Sequence, residues 1–208
     1  KKMIEYLQAF RPIELIDWNM YMVGILKLVL LFRSSDIRAL RMEKIVIEED
    51  IVSFRMFESK GLKRGQWSNE YVVMGSEKRG FEIPKIVQKY IERTKQSRKK
   101  EAESLLIDKN GDDMSVLKMV DLAKRLMKRV NIDTEHFKAH SFRHAGASWM
   151  LESGLTESQV MKIGRWKSVK VFQTFYDRGR TVVSVEDQEK IISKETSEVA
   201  PEESSKSQ

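Results

Sequence analysis

Three histidines fall within nine positions, at His136, His140 and His144. His140 and His144 are four residues apart, so on a helix they share a face and invite a metal reading. The zinc-protease pattern, however, needs a Glu directly after its first His, and Ser141 stands there. The chain has no Cys among its 208 residues, which excludes disulfides, thiolate metal sites and Cys nucleophiles. No metal site is expected. The spacing His140-Ser-Phe-Arg143-His144 is more informative, because it sets an imidazole and a guanidinium one helical turn apart on one face. Arg33-Ser-Ser-Asp36 lies upstream, and Gly164-Arg165-Trp166-Lys167-Ser168 and Phe172-Gln-Thr-Phe-Tyr176 lie downstream. Between them is a glycine-bearing basic turn, Lys60-Gly-Leu-Lys-Arg-Gly65. Side chains of these types suit an anionic partner, and the charge of the chain agrees. Lys and Arg number 38 against 31 Asp and Glu, for a net charge of +7. Residues 193–208 carry −2 of this, leaving +9 on the rest. A body this basic prefers polyanions, nucleic acid first and anionic membrane second.

The elements that must position these residues are legible from periodicity. Ile16, Met20, Val23, Leu26 and Leu30 recur at helical steps, which predicts a helix from Pro12 to about Phe32. Ser34 or Ser35 reads as the N-cap of a short helix, Asp36–Leu40. The runs beginning at Ile45, Ile51 and Tyr71 are β-branched or alternating and predict a three-stranded antiparallel sheet, its second and third strands joined by the basic turn. Pro84 opens another helix. Residues 115–130 predict an amphipathic helix whose polar face carries Lys124, Arg125 and Lys128. Helices are predicted over 139–153, from a Thr156/Gln159 capping box to Gly164, and over Val169–Asp177. Ser184 could cap a last helix running through Ile192, and the Ser/Glu-rich residues 193–208 are expected to be disordered. The longest apolar stretch, Tyr21–Phe32, is broken by Lys27 and too short to span a bilayer, and no signal peptide is evident.

The ordered set Arg33, Lys60, His140, Arg143, Trp166 and Tyr176 resembles the tyrosine recombinase/integrase family. That family's catalytic domain presents Arg, a hairpin Lys, His-x-x-Arg, His or Trp, and a Tyr nucleophile. Tyr176 follows His140 by 36 residues and Trp166 by 10, close to the family spacing. The resemblance covers residues 12–192. Two departures stand out. Leu31-Phe32 precede Arg33 where the family often has Gly, and Ile163-Gly164-Arg165-Trp166 replaces the commoner Leu-Gly-His. Trp at that place is similar to Cre-like and some eukaryotic mobile-element enzymes of the DIRS or Crypton type.

The resemblance implies an α+β, mainly α, catalytic domain over residues 1–192 with a small three-stranded antiparallel sheet. It implies that the family's N-terminal core-binding domain is absent from this fragment. It further implies metal-independent, cofactor-free cleavage and rejoining of double-stranded DNA through a 3′-phosphotyrosyl intermediate, by a homo-tetramer assembled on DNA. The protein would be soluble and intracellular, located with the DNA and not the membrane. Arg33 and Arg143 would donate forked hydrogen bonds to the phosphate, and Tyr176 would attack it. His140 would accept a proton or donate to the phosphate. Lys60 would be the general acid, with Lys63 an equally basic rival in the same turn. Trp166 would pack on the site or donate its indole N–H. Asp36 and His144 would support these groups from behind. Lys63, Arg64, Lys124, Arg125, Lys128, Arg165 and Lys167 are candidate DNA contacts. A type IB topoisomerase-like enzyme that only relaxes DNA and a domesticated, non-catalytic DNA-binding domain are the alternatives.

Overall fold

The structure is a computed structural model and describes residues 1–58, 63–75 and 81–176, with side chains through Gln173. The expected helix capped by Ser184 and the tail 193–208 lie outside the described residues, as does Lys60. At the centre is α2, Leu15–Leu28, in which every residue from Asn19 onward is buried. A helix enclosed on all sides is a core helix. Packed around it are α1 (Lys2–Ala9), α4 (Ile83–Thr94), α5 (Val116–Arg129) and α6 (Ser141–Glu152). α1 precedes Pro12, where the periodicity marks out no element; its buried face of Met3, Ile4 and Leu7 is short. In α5, Ser115 caps the first turn by accepting from Lys118 N–H, and Met119, Leu122, Ala123, Leu126 and Met127 face the core. Lys124, Arg125 and Lys128 are exposed on its outer face.

The strands β1 (Leu40–Glu48), β2 (Ile51–Met56) and β3 (Tyr71–Met74) pair antiparallel in that order, as the alternation predicts. One face of the sheet, with Val52, Phe54 and Met56, joins the main core. A second, smaller core holds Leu31, Ala147, Met150, Val160 and Phe172. It lies between α6, α7 (Glu157–Gly164) and α8 (Val169–Tyr176). α7 begins with the expected capping box, in which Thr156 and Gln159 bond reciprocally.

The first long helix stops earlier than its apolar pattern, at Leu28 rather than near Phe32. Phe32 N–H bonds back to the Leu26 carbonyl at 2.9 Å, and Leu31 between them is left-handed, with φ of 56°. This is a helix-ending turn whose left-handed position is normally Gly, since a Cβ there costs about 1–2 kcal/mol. Leu31 offsets that cost by burying its whole side chain in the second core. The short helix α3, Ser34–Arg38, starts directly after this turn. Its N-cap is Arg33, not Ser34 or Ser35. The Asp36 carboxylate accepts the Arg33 backbone N–H at 2.9 Å, and this bond sets where the helix begins.

α6 crosses the end of α2 at very close range. A Cβ on Gly146 would lie 2.1 Å from the Leu28 carbonyl oxygen and 2.6 Å from Leu31 Cδ2. Gly146→Ala is therefore expected to destabilise the fold by about 1–3 kcal/mol, because backbone must move to admit the methyl group. Urea denaturation checks this; an unchanged midpoint would mean that the helices are not so closely apposed.

Candidate active site

Asp36 is the hinge of the site. It is 1% exposed, and its Oδ2 lies 3.7 Å from Arg33 Nη1 and 2.7 Å from Arg165 Nη2. One buried carboxylate thus gathers two guanidiniums from chain positions far apart, as a buried charge must be paired. About one-third of the Arg33 side chain stays exposed.

Arg143 is the buried guanidinium of the expected pair. It is 6% exposed, and it donates from Nη1 to the Leu31 carbonyl and from Nη2 to the Gly164 carbonyl. The ring of Trp166 covers it, with the guanidinium carbon 3.8 Å from the ring centroid. His140 is the N-cap of α6 and not part of the helix, and it is exposed where Arg143 is buried. The two remain tied through the backbone, since Arg143 N–H bonds the His140 carbonyl at 3.0 Å. The rings of His140 and His144 lie 5.0 Å apart.

Trp166 links this layer to the helix that carries Tyr176. Its ring meets Phe172 edge-on at 5.2 Å, and Phe172 stands one turn before Tyr176, the last residue of α8. The Tyr176 side chain and all of Lys60 lie outside what the structure describes. Lys63 and Arg64 are exposed in the turn joining β2 to β3, where Gly65 adopts φ of 77° and its N–H bonds the Glu58 carboxylate at 2.8 Å. Lys167 is exposed, whereas Arg165 is turned inward.

Two groups enter the site that the motif order does not contain. Tyr71 donates from its hydroxyl to the Ile163 carbonyl at 2.7 Å, tying β3 to α7. Burial pushes its pKa up to about 12, against the pull of the nearby Arg165 and Arg143 charges. Lys27 is 2% exposed on α2, and burial lowers its pKa to about 8; Asp36 opposes that shift and Arg143 adds to it. The interruption of an apolar run by a single Lys is the sequence signal for it. Because its folded pKa lies below its unfolded one, Lys27 weakens the fold below about pH 8, and the penalty fades as pH rises toward its unfolded value. Lys27→Met is expected to raise stability at pH 7 by on the order of 3 kcal/mol and to flatten the gain between pH 8 and 10. Parallel urea titrations at pH 7 and 9.5 measure both; a variant as pH-sensitive as the parent would contradict it.

Among the described residues, no group of three His, Asp or Glu is placed to hold a metal ion, and no helix is long and apolar enough to cross a membrane.

A core helix, a three-stranded sheet and a layer of guanidiniums joined to a tyrosine-bearing helix are the features of a tyrosine recombinase catalytic domain. The phage integrase family model matches residues 3–180, and the chain belongs to that family of tyrosine recombinases. Among curated proteins no sequence matches. Among solved structures, XerH site-specific recombinase bound to a palindromic difH substrate in a post-cleavage complex aligns with a TM-score of 0.66 and 11% identity, covering 94% of this chain and 50% of that one. XerA recombinase aligns at 0.61 with 16% identity, covering 93% and 61%. A lambda integrase dimer bound to a COC′ core site aligns at 0.56 with 15% identity, covering 88% and 59%. The chain therefore spans about half to three-fifths of the length of these neighbours.

Proposed function

We propose that this chain is the catalytic part of a DNA recombinase that cuts and rejoins strands through a covalent 3′-phosphotyrosine, in integration or site-specific recombination. One observation carries the reading: the Trp166 ring lies on the Arg143 guanidinium and also meets Phe172 of the tyrosine helix. This joins the Arg layer to the element bearing the nucleophile. Around the single carboxylate of Asp36 stand Arg33 and Arg165, with Lys27 and Arg143 in electrostatic range of one another. Such a cationic excess suits a bound phosphodiester.

In the proposed reaction the Tyr176 oxygen bonds to phosphorus and the bond from phosphorus to the 5′ oxygen breaks. The phenol proton passes to His140, and the leaving oxygen takes a proton from Lys60, or from Lys63 in the same turn. Arg33 holds the non-bridging oxygens from its exposed side. Arg143, anchored on two carbonyls, supplies fixed positive charge beneath them. A 5′-hydroxyl from another strand then reverses the step. Lys124, Arg125, Lys128 and Lys167 are exposed and offer charge to the DNA backbone, whose contribution falls with salt. A tetramer on DNA is part of this reading.

The test is a pool of nicked duplexes with randomised sequence, in which cleavage next to the nick releases a short fragment and traps the intermediate. Denaturant-resistant protein–DNA adducts attached at Tyr176 are expected. Joined strands from two duplexes, rather than relaxed plasmid alone, separate recombination from a topoisomerase-like reaction. A protein that binds the pool and traps nothing would be a DNA-binding domain without catalysis.

A further inference from the structure

We propose that Arg165 is a positioning residue for DNA cleavage: it clamps Asp36 and, through that carboxylate, holds Arg33 ready for the phosphate. The inference rests on the assignment of Arg33 to the scissile phosphate. Arg165 follows the last residue of α7 in a left-handed conformation, φ 58° and ψ 43°, which disfavours any side chain but is readily adopted by Gly. The main-chain strain at this helix end is tolerated by a residue whose side chain is engaged on three sides. Nη2 lies 2.7 Å from Asp36 Oδ2, Nη1 lies 2.8 Å from Met56 Sδ, and the guanidinium carbon stands 5.5 Å above the Phe32 ring. The approach to Asp36 is a charge contact and not a directional hydrogen bond.

The same Asp36 oxygen accepts the Arg33 backbone N–H and sits beside the Arg33 guanidinium. Arg33 sets the start of α3 through this oxygen, so an unclamped Asp36 frees both the main chain and the side chain of Arg33. Arg165 is also joined to Trp166, so the clamp ties the start of α3 to the segment leading into α8. An arginine here spans from the end of α7 to β2 and α3, which no glycine could do. Its inward direction and its partial burial, 27% exposed, distinguish it from the neighbouring Lys167, which faces solvent.

The experiment compares Arg165→Gly, Arg165→Asn, Arg33→Ala and the double variant Arg33→Ala/Arg165→Gly. Each is assayed on a nicked duplex recovered from the randomised pool with the parent protein. Gly and Asn both tolerate the left-handed backbone, which offsets part of the cost of leaving the buried Asp36 carboxylate with one partner fewer; thermal midpoints below that of the parent are expected, and cleavage is read where each variant is still folded. Adduct formation is expected to slow by roughly 10–100-fold in both single Arg165 variants, with DNA affinity within about threefold of the parent, from the size of a misplaced catalytic contact. In the Arg33→Ala background, Arg165→Gly should cost nothing further. A merely structural role would act equally in both backgrounds. Parent-like cleavage by Arg165→Gly overturns the inference alone, and so does a full loss retained in the Arg33→Ala background. Failure of the parent to trap any duplex overturns the recombinase reading itself.

Discussion

Tyr176→Phe is expected to abolish the denaturant-resistant adduct altogether, while binding the same DNA with unchanged affinity. In the proposed reaction the loss is absolute, because there the phenol oxygen is the atom that bonds to phosphorus, and a ring without it has no substitute nucleophile. Phe keeps the shape of the side chain, so the end of α8 and the contact of Phe172 with Trp166 stay in place. Adducts are counted by denaturing gel against the parent, and affinity by mobility shift. If Tyr176→Phe traps DNA as well as the parent, another residue is the nucleophile and the assigned chemistry is wrong. Adduct formation lost together with DNA binding would point to a collapsed domain and not to missing chemistry, which a thermal melt separates.

The second large effect is at Arg143. Arg143→Lys retains the charge but replaces a planar fork by one ammonium on a shorter reach. Arg143 now serves two carbonyls at once, those of Leu31 and Gly164, beneath the Trp166 ring. Lys has three donors but a single nitrogen on a shorter stem, so it cannot match two carbonyls held by separate nitrogens, and a poorly satisfied buried acceptor costs about 1–3 kcal/mol. Because Leu31 is in the turn before Arg33 and Gly164 comes just before Arg165, the loss loosens both ends of the Asp36 cluster. Cleavage is expected to fall by roughly 10²–10³-fold, the usual cost of one preorganised donor. Urea denaturation and adduct formation, measured where the variant is still folded, check the two effects separately. Parent-like values in both would show that neither carbonyl needs its donor.

From Pro12 onward the element types and their order were readable because they depend on local periodicity, whereas α1 was not. The helix over 115–130, the Thr156 capping box and the three strands follow from residue spacing over short windows, whereas the family was legible as a resemblance carried by six residue types in order from Arg33 to Tyr176. Boundaries set by non-local contacts were not readable. Nothing in Leu31 marks it as left-handed, since its cost is offset by a core built from Ala147, Met150, Val160 and Phe172, more than a hundred residues away. The start of α3 was placed at a serine because serines cap helices locally, whereas the Arg33 backbone is held by Asp36.

At the site, the sequence by itself determined which types of side chain are present and in what order, and hence the class of chemistry: guanidiniums, an imidazole, a hairpin lysine and a tyrosine suited to a phosphodiester. Only the tertiary structure decided which way the described ones face. Arg33 and Arg165 meet on one buried carboxylate, Arg143 turns to two main-chain carbonyls beneath an indole, and Lys27 is enclosed in the central helix. Linear spacing cannot specify this, because desolvated charges settle wherever packing brings partners within reach.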